Sequence, residues 1–236
     1  MIALLSFVLA ALFVGCASSP QATEFPQRFI DQPYTLPEGV DVWGSVGGIY
    51  YERDNGFENS FLVPIPIPLY WEHSINKNLT LEIPLLPVGL RWKIQSDENT
   101  ELGLNLSWGF GYGSTSGFSA YPNAGLFYKK FLSHDQAIIV MPNVGYNYSD
   151  KDDNRNYVRT SLLLGFVYQL NNEHALQPRL IVAYSEYSKK ARWPIELFYS
   201  YRMAQTWQFE STYRYTGLGY EDYLEHRLTF IFKKYF

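Results

Sequence analysis

Arg91, Arg159, Arg179, Arg202, Arg214 and Arg227 recur along the chain, accompanied by Glu101, Glu196, Glu210 and Glu225. Each stands where every second residue is apolar. A guanidinium grips a carboxylate or phosphate through two parallel hydrogen bonds, so such a set can do one of two things. The charges can pair with one another and brace a structure, or they can present cations to a passing anion. Catalysis would need a base within reach of a serine nucleophile. The four histidines do not offer one: His73, His134 and His174 fall at segment ends, and His226 shares the apolar phase of Leu224 and Leu228. No catalytic residue is assigned. Asp150, Asp152 and Asp153 could offer oxygens to Ca²⁺, but the Gly and Glu of a calcium-binding loop are missing, so no metal site is expected. Gly109–Gly113 (GFGYG) ends a strand-like stretch with no helix behind it, so it is no phosphate cradle, and no cofactor is expected.

The elements that must carry these charges are strands. In Glu101–Tyr112, Leu102, Leu104, Leu106, Trp108, Phe110 and Tyr112 share one face, while Glu101, Gly103, Asn105, Ser107, Gly109 and Gly111 share the other. A period of two over that length means an extended strand with unlike faces. The same alternation returns around Val158–Leu170, Leu176–Ser185, Trp193–Arg202, Trp207–Tyr215 and Leu224–Phe232. Connections such as Ser96–Asn99, Ser133–Gln136 and Ala204–Thr206 alternate with longer ones such as Ser149–Asn156 and Gly217–Asp222. Tight turns at one end and longer loops at the other are the asymmetry of a barrel that crosses an outer membrane. Upstream, Val40–Glu52, Phe61–His73, Asn78–Pro84 and Leu85–Gln95 complete the set. The expectation is an all-β, antiparallel transmembrane barrel of about twelve strands, with ten as the alternative. Pro64, Pro66 and Pro68 make the second segment the weakest, because each removes a ladder donor.

Composition narrows the class. The 236 residues hold 19 Lys plus Arg against 23 Asp plus Glu, a formal net charge of −4, which argues against nucleic acid as a partner. Aromatic residues make up 18%, so the chain is not disordered, and a single cysteine excludes a disulfide scaffold.

Residues 1–15 (MIALLSFVLAALFVG) form an apolar run of signal-peptide length, followed by Cys16. Leu12-Phe13-Val14-Gly15-Cys16 resembles the lipobox of bacterial lipoproteins, which implies lipid attachment at Cys16. Ordinary cleavage after Ala17 is the alternative. Residues 16–38, rich in proline, read as an extended periplasmic lead-in, and 39–236 as the barrel. The chain stops at Phe236, with Phe232, Phe230 and Leu228 on the same face. This resembles the assembly signal of Gram-negative outer-membrane β-barrel proteins. The resemblance implies residence in the outer membrane, contact with its lipid, and delivery by the barrel-assembly machinery.

Alternation alone does not say which face is inside. A soluble lipocalin-like lipoprotein would turn the apolar face inward and bind an apolar ligand. The polar face here is rich in Gly, Ser and Asn, with isolated Arg and Glu, and is poor in the Lys and Glu of a water-facing surface. The apolar face is therefore expected to meet lipid and the polar face to line a lumen. The expected function is a structural barrel or a narrow solute channel with mild anion preference. An outer-membrane enzyme acting on lipid is the alternative.

Overall fold

The computed structural model describes residues 25–54, 57–84, 88–113, 117–149, 156–218 and 223–236. Extended segments dominate, as the period of two dictates: β1 (Asp41–Asp54), β2 (Phe57–Asn76), β3 (Leu79–Pro84), β4 (Val88–Ser96), β5 (Thr100–Gly113), β6 (Gly117–Ser133), β7 (Gln136–Ser149), β8 (Tyr157–Gln169), β9 (His174–Ser185), β10 (Lys190–Arg192), β11 (Ile195–Ala204), β12 (Trp207–Thr216) and β13 (Tyr223–Tyr235). Each pairs antiparallel with its sequence neighbours except that β10 and β11 both pair with β9, and β13 pairs back onto β1, from Val42 opposite Tyr235 to Asp54 opposite Tyr223. Closure removes the edges a sheet would otherwise expose to hydrocarbon.

The short β10 is not a thirteenth wall position. Lys190 pairs with Ser185 and Ile195 with Leu180, one continuous register along β9. The break falls at Pro194, which has no N–H to give, although its carbonyl still accepts from the Ile181 amide at 2.9 Å. β10 and β11 are thus one strand interrupted by a proline, and the barrel has twelve strands. At roughly 4.8 Å spacing and a tilt of about 40°, the backbone diameter is about 24 Å.

The β2–β3, β4–β5, β6–β7, β8–β9 and β11–β12 connections lie at one end, together with the start of β1 and the end of β13. That end is periplasmic in this architecture. There the Asp41 amide donates to the Phe236 carbonyl at 3.2 Å, and the Phe236 amide returns the bond at 2.9 Å. The β4–β5 turn is pinned by Asp97, which accepts from the Thr100 hydroxyl at 2.6 Å and from the Asn99 and Thr100 amides. Those bonds hold its carboxyl below the usual carboxylate range.

The expected alternation of short and longer connections holds only in part. β1–β2, β3–β4 and β5–β6 are joined through 55–56, 85–87 and 114–116, as short as the periplasmic turns. Longer joins at 150–156 and 217–222 come later in the chain. β2 starts at Phe57, not Phe61, and is 20 residues long. It absorbs this length against the 14 residues of β1 by register shifts at Gly44/Ser45 and Val46/Gly48. β3 and β4 are short, so β2 pairs with β3 only from Tyr70 to Asn76, and β5 pairs with β4 only up to Trp108. The three prolines of β2 fall beyond Tyr70, where a missing donor costs no bond to β3.

Burial settles the facing. Trp92, Phe110, Leu126, Val144, Leu164 and Tyr184 are exposed, Trp92 at 55%, whereas Glu72, Glu101, Lys129, Glu196 and Arg202 are all 4% exposed or less. A water-soluble barrel would show the reverse. Leu104 and Leu162 lie on the outward phase, not at the centre of a soluble cup.

Candidate functional site: a charged lumen above an N-terminal strap

The inward face is built by parity. In β8, Arg159, Ser161, Gly165 and Gln169 point in because Val158, Leu162, Leu164 and Phe166 meet lipid; the same rule places the others. The structure sets Arg91, Glu101, Arg159, Arg179, Glu196, Arg202, Glu210, Arg214, Glu225 and Arg227 on the inward face, along with Glu72, Glu82, Lys93, Lys129 and Lys233. Leu228, Phe230 and Phe232 face outward, with Phe236 at the periplasmic rim. Lys234 shares their face, its ammonium lying 5.3 Å from the Trp207 ring centre and 4.9 Å from that of Phe236. Cys16 and the signal segment lie outside the described residues, as do Asp150, Asp152 and Asp153.

In the lower and middle lumen the charges interleave. Arg91 bonds Glu72 and, at 2.9 Å, Glu82. Lys233 lies 3.0 Å from Glu210 and 3.9 Å from Glu72. Glu196 accepts from Arg214 at 2.6 Å and from Arg179 at 3.4 Å. Lys129 faces Glu101 at 3.8 Å. Arg202 reaches Gln208 at 3.1 Å, and its guanidinium lies 4.3 Å from the Tyr235 ring centre. These contacts offset much of the cost of burying the charges in a low-dielectric wall, although the Nε atoms of Arg179 and Arg202 make no hydrogen bond.

Residues 25–40 turn into this lumen and cross its periplasmic mouth. Phe25 stacks on Tyr235 with centroids 4.6 Å apart. Arg28 reaches the β6–β7 turn, bonding Asp135 at 2.7 Å and the His134 ring. The strap's backbone is satisfied by wall side chains: the Ile30 amide by Gln169 at 2.9 Å, Tyr34 by Glu101 at 2.6 Å, and Leu36 by Thr80 at 2.8 Å. In return Arg91 donates to the Tyr34 carbonyl at 2.8 Å and Lys129 to that of Gln32 at 3.1 Å. Ile30 and Tyr34 pack on an apolar patch of the inner wall made by Phe127, Ala137, Ile139 and Val167. Tyr34 lies flat on Phe127, with centroids 4.1 Å apart and an interplanar angle of 9°. Opposite it, Gly103 leaves no room for a Cβ against the Tyr34 ring.

Sequence reasoning missed two groups. The inner apolar patch breaks the polar phase, and its signal was visible in Phe127, Ile139, Leu163 and Val167, which share parity with Lys129, Asn143 and Gln169. Lys190 and Arg192 precede the alternating segment Trp193–Arg202, yet they continue the even-numbered phase of Glu196, Ser200 and Arg202.

No protein-family model matches the sequence, and no curated protein matches it. Solved structures do. The COG4313 outer membrane channel from Pseudomonas putida F1 superposes with a TM-score of 0.62 at 13% identity, over 87% of this chain and 98% of that one. The fold is that of an outer-membrane β-barrel. The NanC porin superposes on the barrel with a TM-score of 0.53 at 13% identity, covering 81% of this chain and 98% of its own. A bacterial polysaccharide outer membrane secretin gives 0.51 at 12%, covering 84% and 97%.

Proposed function

We propose that this chain is an outer-membrane channel for small solutes, with a preference for anions and a constriction at its periplasmic mouth. The observation that carries the reading is the polar, charged interior. Cations outnumber carboxylates on the inward face, and those toward the outer end are not all interleaved with acids. Rings of Arg and Lys raise the local concentration of anions in a narrow, low-dielectric passage. Residues 25–40 act as the narrowest element, because the strap fills the mouth that the wall leaves open. The chain's fold is shared with proteins described as channels and porins, which supports the reading. Leu228, Phe230, Phe232 and Phe236 would serve beforehand as the signal read by the barrel-assembly machinery, and Cys16 as the lipid-bearing residue.

The enzymatic alternative needs a serine or acid poised beside a histidine over a substrate. His174 and His226 bond the Tyr199 and Tyr213 hydroxyls on the lipid side, and His73 bonds Asp41 at the periplasmic rim. His134 is held by Arg28 and Asp135. Those partners favour a conduit. The test is ion selectivity: the full chain in planar bilayers under a KCl gradient should give a reversal potential of the sign for chloride. Arg179→Glu with Arg214→Glu should move it toward potassium. A folded barrel showing no current steps would reject the channel.

A further inference from the structure

Charge is distributed unevenly along the lumen. Below, Glu72, Glu82, Glu196 and Glu210 stand between the cations. Above, on the wall formed by β6 to β12, a cavity of about 510 Å³ opens toward the outer end. Arg159, Lys190, Arg192 and Arg214 line it, and no carboxylate stands among the described lining residues. Parity explains the gathering. Ser185 of β9 is the register partner of both Arg159 and Lys190, so two cations flank one small side chain. Arg159 makes no ion pair with any described residue, and its guanidinium lies 6.0 Å from the Tyr121 ring centre. Arg214 keeps Glu196 at 2.6 Å, so Arg159 is the cation beside which an anion in the cavity gains most.

The rest of the lining is polar and neutral. Asn123, Asn143 and Ser161 supply amide and hydroxyl groups, and at the rim Tyr157 and Tyr187 stack with centroids 5.3 Å apart. A cavity of this size with a few convergent polar groups suits a small molecule. Guanidinium groups suit planar or tetrahedral oxyanions.

We infer that this cavity is a binding site for a compact organic or inorganic polyanion, one carrying at least two carboxylate or phosphate groups. As a step on a transport path, the site rests on the channel reading; as a binding site it can be measured without conduction. The experiment is calorimetry on the folded full-length protein in detergent, with citrate and pyrophosphate as probes. Saturable binding should appear for one or both, and whichever binds identifies the oxyanion. Arg159→Gln should weaken it about tenfold, the size of one lost charge-assisted hydrogen bond. Ser185→Asp, which sets a carboxylate between Arg159 and Lys190, should weaken it at least as much, and heat-modifiable migration in SDS gels checks that each variant folds. Lys93→Gln removes a like charge from β4, across the barrel from β10 and β11, and should weaken binding no more than about twofold. No saturable binding of either probe, or equal weakening by all three variants, overturns the site. A barrel that binds citrate yet never conducts would keep the site and reject the channel; one that conducts without binding would do the reverse.

Discussion

Arg91 shows what a single residue does here. It ties β4 to β3 and β2 through Glu82 and Glu72, and it holds the strap through the Tyr34 carbonyl. Removing one partner of a buried pair costs more than the pair contributes, because the other charge is left without compensation. Arg91→Gln should destabilise the folded barrel by about 3 kcal/mol, read as a lowered urea midpoint in lipid vesicles. An unchanged midpoint would mean that water in the lumen already screens Glu72 and Glu82. The outward face gives the converse test. Leu104→Arg should cost about 2 to 4 kcal/mol at mid-membrane depth, whereas Ser107→Arg, on the inward face of the same strand, should cost far less. Equal costs in the same assay would contradict the assigned facing.

Among the elements, the strap is the one whose removal should change function most. Its grip combines an apolar patch, a flat aromatic pair and wall side chains that cap its amides. Gly103 makes the fit possible, since the Tyr34 ring occupies the space a side chain would need. Gly103→Val should dislodge Tyr34 and raise single-channel conductance while leaving the strands paired. Unchanged conductance would place the constriction elsewhere. The sequence carried different elements unequally. β5, β8 and β12 were legible because lipid outside and polar groups inside enforce strict alternation. β2 was legible only over Phe61–His73, because its shifts in register scramble parity, and β10 stood apart from Trp193–Arg202 because Pro194 interrupts the strand. The strap's prolines, Pro26, Pro33 and Pro37, marked an extended segment, yet no local pattern says that such a segment turns into the lumen. Its partners are residues far away in sequence, on β3, β5 and β8.

For the whole molecule, closure explains why so polar a chain suits a membrane. Twelve strands satisfy one another's backbones, the exposed apolar side chains form the belt, and the net charge of −4 conceals an interior rich in cations. The interior charges were partly legible, since parity assigns them once the facing is known. Their pairing was not, because Lys233–Glu72 and Arg91–Glu72 join strands that are not hydrogen-bonded to each other. The central claim is a continuous polar passage throttled at the periplasmic end. Single-channel recording of the full chain beside a variant lacking residues 25–38, both verified as heat-modifiable barrels, tests it most directly. The account predicts small, anion-selective steps for the full chain and several-fold larger ones, still anion-selective, for the variant. Equal conductances, or silence from both, would contradict it.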